Sequence, residues 1–330
     1  MVLLSSRPFR RLAAVAALLL VAAVGAGPLT AAGATTPTTH HTFTVQVGSQ
    51  AEHMALQGMR FLPGDVTVDV GDSVRWVVRS AEIHTVTFFH GGQPQTMLPD
   101  FDPSNANGDL VQIGGNVIDG SDTLLSSGLM TDVPTGGDAG PLPPVPHVQA
   151  YTLRFTQPGT YTYYCWVHEM MMVGVVHVQP QGTAYPYTQA QYGDQAAIER
   201  AGLRAIGNHL WRQLRADSTN HRVFLGADNG QVMVMRFVRH TVLVHVGQTV
   251  HFLNTGMGAP HTVTFGNEPP PPALFGPSGD PTHFAGGDLN SGIVGPGGRF
   301  DVTFTKAGVY RYVCALHDGM GMRGSVVVMP

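Results

Sequence analysis

The stretch Phe61-Leu-Pro-Gly-Asp-Val-Thr-Val-Asp-Val-Gly71-Asp-Ser-Val-Arg-Trp76 has a second version at Phe237-Val-Arg-His-Thr-Val-Leu-Val-His-Val-Gly247-Gln-Thr-Val-His-Phe252. In both, apolar and polar residues alternate, the chain turns at a glycine, and alternation resumes. That is the pattern of two successive strands with one buried face. An internal repeat of this kind confines the chain to two copies of one folding unit. Earlier strands are expected over residues 42–47 and 232–237. Later strands are expected over 151–155 with 159–165 and over 300–304 with 308–314, and 174–178 and 324–329 close the two repeats. Few charged residues and abundant Gly and Pro suit β-structure with many turns. Each repeat therefore reads as an antiparallel sandwich of about seven or eight strands.

The repeat extends to residues with chemistry. The first half ends on Tyr-Thr-Tyr-Tyr-Cys165-Trp-Val-His168-Glu-Met-Met-Met172-Val-Gly174. The second ends on Tyr-Arg-Tyr-Val-Cys314-Ala-Leu-His317-Asp-Gly-Met-Gly-Met322-Arg-Gly324. Upstream of each stands a lone histidine in one frame, Ile-His84-Thr-Val-Thr-Phe and Pro-His261-Thr-Val-Thr-Phe. Two imidazoles, a thiolate and a weak axial thioether form the ligand set of a mononuclear blue-copper site. Two cysteines in an exported chain form a disulfide by default. Here each cysteine ends an aromatic-rich strand and has histidine three residues later, which favours ligation instead.

On these motifs both halves resemble the plastocyanin, pseudoazurin and amicyanin group of cupredoxins. The resemblance implies an all-β chain of two Greek-key cupredoxin β-sandwiches, joined here by an amphipathic α-helical connector. It also implies two type 1 copper ions cycling between Cu(I) and Cu(II), one held by His84, Cys165, His168 and Met172, the other by His261, Cys314, His317 and Met322. Cys314, His317 and Met322 have the plastocyanin spacing, whereas the first loop is one residue shorter. The glycines that follow set the register and favour Met172 as axial ligand, with Met171 as the other candidate. Thr85 and Thr262, directly after the upstream histidines, are either loop-orienting hydrogen bonders or β-favouring residues.

The expected organisation is a signal peptide over residues 1–34, a first domain over 40–180, a helical connector over 185–217 and a second domain over 220–330. Arg7, Arg10 and Arg11 precede an apolar run over residues 12–27, and Ala32-Gly-Ala34 suits cleavage. That run is shorter than the roughly 20 residues of a spanning helix, so a membrane is involved only if the segment stays uncleaved. The expected destination is export from a bacterium to periplasm, cell surface or medium. Arginine almost replaces lysine, with Lys306 alone, as in a GC-rich genome. Removing residues 1–34 takes three arginines and no acid from a net charge of −4, leaving −7. That charge argues against nucleic acid as a partner.

Residues 90–146 form a long Gly-, Pro- and Asp-rich insertion with a shorter counterpart at 269–287. Between the repeats, Ile198, Leu203, Ile206, Leu210 and Leu214 recur at helical spacing, which predicts one helix of about 20–25 residues within 187–216.

Three functional classes follow. One-electron transfer between redox protein partners fits best, with His168 or His317 near the surface as the exit and Met170, Met171 and Met320 as an apolar docking patch. A two-domain oxidase or nitrite reductase would need further histidines, but Tyr164, Trp166, Val313 and Ala315 flank the cysteines and Thr87 stands where an acid would be needed. The chain therefore reads as a carrier and not as an enzyme. Copper acquisition, storage or delivery is the alternative, supported by sixteen histidines and fourteen methionines, with His40 and His41 as transient ligands.

Overall fold

Alternating strands that each bury one face must pack as layers, and the two halves do so with the same strand order. A computed structural model of the chain describes residues 39–92, 111–120, 124–133 and 147–330. In the first half, Thr42–Ala51 pairs antiparallel with Leu56–Leu62 and parallel with Ser73–Val78. In the second, Arg222–Asp228 pairs antiparallel with Val232–Val238 and parallel with Thr249–Leu253. The opposing layers also match. Glu169–Gln179 lies between Asp65–Asp69 and Gly159–Cys165, and Arg323–Met329 lies between Thr241–His245 and Gly308–Val313. Each half is thus a β-sandwich around its own apolar core.

One expectation of strand order is corrected here. The counterpart of Val232–Val238 is Leu56–Leu62, which the sequence pattern missed, and not residues 42–47. The expected signal segment, 1–34, lies outside the described residues, as does most of the insertion within 90–146.

Equivalent aromatic rings fill both cores. Trp76 meets Tyr163 edge-on at 5.2 Å, and Phe252 meets Tyr312 edge-on at the same distance. The repeated glycines answer to those tyrosines. A Cβ at Gly174 would run into the ring of Tyr163, and one at Gly324 into the ring of Tyr312. Glycine holds the register because the adjoining strand carries a buried tyrosine two residues before each cysteine.

The halves are fused through a sheet. Leu56–Leu62 pairs antiparallel with Val232–Val238 in the register Leu56↔Val234, Gln57↔Met233 and Gly58↔Val232. Aligning Met59-Arg60-Phe61 with Met235-Arg236-Phe237 makes Gln57 the counterpart of Met233, so equivalent positions pair with one another. The flanking bonds obey the same symmetry, from Met59 N to Gln231 O at 2.8 Å and from Met235 N to Ala55 O at 2.8 Å. A pseudo-two-fold axis therefore passes through the Gln57–Met233 pair, and one nine-stranded sheet crosses it.

The connector helix, Gln189–Asp217, lies across this seam. Thr188 caps it through a reciprocal capping box with Gln191. Its buried stripe is Tyr192, Ala196, Leu203, Gly207 and Leu214, with Ile206, Leu210 and Trp211 half-buried beside it. Ile198 departs from expectation and is 74% exposed, because it falls two residues past Ala196 and so faces away. Gly207 sits over the seam, where a Cβ would lie 2.8 Å from Val232 and 3.0 Å from Leu56, two equivalent residues on either side of the axis. Among the described residues no helix is long and apolar enough to cross a membrane.

Candidate metal centres

Each upstream histidine is held by an isolated backbone bridge. His84 exchanges hydrogen bonds with Met130 at 2.9 and 2.8 Å, and His261 does so with Val294 at 3.1 and 2.8 Å. Behind each ring lies a bulged strand with a left-handed glycine, Gly48 at φ +66° and Gly226 at φ +69°. A Cβ at Gly48 would lie 2.5 Å from His84 Nε2, and one at Gly226 would lie 3.5 Å from His261 Nε2. Gly48 thus makes room for the His84 ring, whereas at Gly226 it is the carbonyl oxygen of Val234 that a Cβ would strike. Sequence reading missed both glycines, although a glycine at matching places in two strands was the available sign.

The other two donors come from the end of one strand and the loop after it. In the first half, Cys165 Sγ lies 3.8 Å from His84 Nδ1 and 3.4 Å from His168 Nδ1. In the second, Cys314 Sγ lies 3.7 Å from His261 Nδ1 and 3.3 Å from His317 Nδ1, and the two Nδ1 atoms are 3.2 Å apart. The donor atoms of each trio fall within 4.8 Å of one another, and all six residues are buried.

The thioethers differ in placement. Met172 and Met322 are fully buried in the same cores as Cys165 and Cys314. Met171 instead packs with Met59, Met233, Met235 and Met320 in a separate cluster, into which both halves feed. The expected surface docking patch is therefore not formed as drawn, since Met171 and Met320 lie in this inner cluster. The side chain of Met170 is outside the described residues. His168 and His317 keep 6% and 7% exposure, against 0% and 2% for His84 and His261, so the downstream histidine is the more exposed imidazole of each trio.

The threonines following the upstream histidines bind the cysteine loops. Trp166 N donates to Thr85 Oγ1 at 2.7 Å, and Ala315 N donates to Thr262 Oγ1 at 2.8 Å. Their backbone amides donate to the sulfurs, at 3.4 Å from Thr85 N and 3.3 Å from Thr262 N. Both threonines therefore orient the loops, and β-propensity alone does not explain their recurrence.

Electrostatics separates these groups from ordinary histidines and cysteines. Burial lowers His168 and His317 to about 4 and holds His84 and His261 well below the usual imidazole range. All four are therefore neutral near pH 7 and can offer a lone pair. Burial pushes both thiols up to about 11, and amide donors from Thr85 and Thr262 act against it. A cation among the three donors reverses that balance and favours thiolate. Two neutral imidazoles and a buried thiol, converging with amide donors on the sulfur, fit a soft or borderline metal such as copper.

The profile of the copper-binding plastocyanin/azurin family matches residues 145–179 and 222–329. Plastocyanin of Chlamydomonas reinhardtii is 31% identical over 143 residues, which are 43% of this chain and 88% of that protein. Plastocyanin B'/B'' of Nicotiana tabacum is 34% identical over 106 residues, which are 32% of this chain and 97% of that one. The chain belongs to the plastocyanin/azurin family of copper-binding proteins. An oxidized amicyanin mutant is 23% identical and covers 42% of this chain and 82% of its own, with a TM-score of 0.24. The two plastocyanins match 43% and 32% of this chain, and the family relationship supports copper binding and electron transfer in general terms.

Proposed function

We propose that each half binds one type 1 copper and that the protein transfers single electrons between redox protein partners. His84, Cys165 and His168 with Met172 as axial thioether form the first site, and His261, Cys314 and His317 with Met322 form the second. The carrying observation is the convergence, twice, of two buried neutral imidazoles and one thiol on a common point. Copper bound there supplies a reversible one-electron couple. The residues around it hold the donors in place from separate strands, keep water out and bind the sulfur through backbone amides. A preformed, buried donor set suits a carrier, because little has to move when charge changes.

Met172 is preferred over Met171 because Met172 shares the buried core of Cys165 while Met171 packs into the cluster between the halves. Export into a bacterial periplasm, cell surface or medium is part of the same reading and rests on the arginine-led apolar segment before residue 34. The domain limits proposed are 40–180, 185–217 and 220–330.

Copper counting on the purified protein, with visible and EPR spectra, tests the reading. Two coppers per chain with intense thiolate charge-transfer absorption and narrow hyperfine splitting are expected. One copper per chain, or spectra without those features, would sink the two-site assignment. Rapid transfer of copper to apo-chaperones combined with slow electron exchange would replace the carrier with a delivery protein.

A further inference from the structure

One buried acid in the seam has no counterpart across the pseudo-two-fold axis. Glu82 lies two residues before His84, yet its carboxylate reaches the other half: Oε2 is 3.9 Å from His317 Nε2. Glu82 is 7% exposed, and its Oε2 has no hydrogen-bond partner. Gln57 and Ser80 lie close but accept from the backbone amide of Glu82, not from its carboxylate. Burying an acid without a partner is costly, so such a group calls for an explanation. The residue that occupies the equivalent place before His261 is Ala259, which has no polar side chain.

The imidazole chemistry supplies the explanation. His317 turns Nδ1 toward Cys314 and His261. For Nδ1 to act as a ligand, the proton of the neutral ring has to sit on Nε2, the nitrogen that faces Glu82. A carboxylate opposite the free N–H of a ligating histidine fixes the ring's orientation and tautomer and raises its basicity. We propose that Glu82 is a positioning residue of the second-half metal centre, contributed by the first half, and that it makes the two centres unequal.

This inference rests on the reading that His261, Cys314 and His317 hold copper. A more basic imidazole favours the higher-charged ion, so Glu82 lowers the reduction potential of the second centre. His168 meets no such carboxylate from position 259. The inequality therefore has a direction and an address.

The test uses the full-length, copper-loaded protein, with each centre observed alone. In a Cys165→Ala background only the second centre carries the thiolate absorption, and its potential is read by spectroelectrochemistry. There Glu82→Gln, which keeps shape and removes charge, is expected to shift the Cu(I)/Cu(II) ratio about tenfold toward Cu(I) at fixed ambient potential, or ~59 mV for one electron. Glu82→Ala should shift it in the same direction. In a Cys314→Ala background the first centre should move by much less.

Unmoved potentials in both variants, with the thiolate band intact, would overturn the role of Glu82. Equal shifts at both centres would also overturn it, because they would mark a diffuse field and not a contact with His317. If the Cys165→Ala parent itself shows no copper–thiolate band, the ligand assignment of the second half fails, and the role of Glu82 with it. Glu82→Gln, being isosteric, decides the matter should Glu82→Ala fail to fold.

Discussion

After Cys165 the chain passes His168 and enters the strand Glu169–Gln179 at once; after Cys314 it first makes a 3-10 turn, Asp318–Met320, closed by Gly321 at φ 84°. The first loop makes one backbone bond to its histidine, from Met171 N to His168 O at 2.9 Å, and the second makes two, from Met320 N and Met322 N to His317 O at 3.1 and 3.2 Å. Despite this, the sulfur-to-nitrogen distances of the two trios agree within 0.1 Å, at 3.4 and 3.3 Å and at 3.8 and 3.7 Å. The donor positions are therefore set by the strand frame, the isolated bridges and the threonine latches, which are shared. The loops decide something else, namely where the neighbouring methionines go and what the cluster meets across the seam.

The largest test of that equivalence is removal of one sulfur at a time. Cys165→Ala and Cys314→Ala should each abolish one copper and one colour component while leaving the other in place, as read by metal analysis and visible spectra. Loss of both signals from either single variant would show that the halves do not load independently.

Acid should come next in effect. In the metal-free protein the four buried histidines stay neutral in the fold, whereas in the unfolded chain they take up protons near 6.5. Between about 6.5 and about 4 the unfolded state binds more protons, so stability falls as pH falls through that window. Glu82 works the other way. Burial raises it to about 7 from 4.5, so its contribution is complete below 4.5 and is lost as pH rises to 7. Urea midpoints measured from pH 7.5 to 4 should decline, because the four histidines outweigh Glu82, and, among the described residues, the four other acids that burial raises are opposed by four that hydrogen bonds lower. Glu82→Gln should steepen the decline. A midpoint that rises on acidification would contradict the burial of the histidines.

A smaller, matched pair of effects is expected from Gly174→Ala and Gly324→Ala. Each presses a methyl against a buried tyrosine and should cost about 1–3 kcal/mol in urea unfolding. A large difference between them would mean that the ring packing differs more than the parallel contacts indicate.

The arginines should give the smallest effect and the least symmetrical one. Arg236 is half-buried and donates to Met320 O at 2.7 Å and to His53 O at 2.6 Å, tying the second loop to the first half. Its counterpart Arg60 is exposed. Arg236→Met should cost about 1–2 kcal/mol and Arg60→Met under about 0.5 kcal/mol. Equal costs would remove Arg236 as a tie across the seam.

Much of this molecule was legible in its sequence because metal ligation and tyrosine packing permit few residue types. The sequence-marked His, Cys and His converge in both halves, and the glycines at 174 and 324 and the helical stripe through Leu203 and Leu214 keep the places that the sequence pattern gives them. The seam did not show. Leu56-Gln-Gly-Met-Arg reads as any half-buried strand, and its pairing with Val232–Val238 depends on which sheet edge the partner half presents. The roles of Gly48 and Gly226 depend on a bulge, which alternation of residue types conceals. Glu82 carries no local sign of its role, since nothing near it in sequence records that the facing surface is the ring of His317.

The strand pairing through Gln57 and Met233 has one more consequence. Two identical subunits meeting on such an axis would be compelled to place the same side chain at both ends of every contact. Carried on one polypeptide, the two copies are released from that rule. Gln57 can differ from Met233, and Glu82 from Ala259, without disturbing the pairing that holds them. A fused pair can thereby acquire polarity, with one end of the molecule more reducing than the other, a property closed to a homodimer of the same shape.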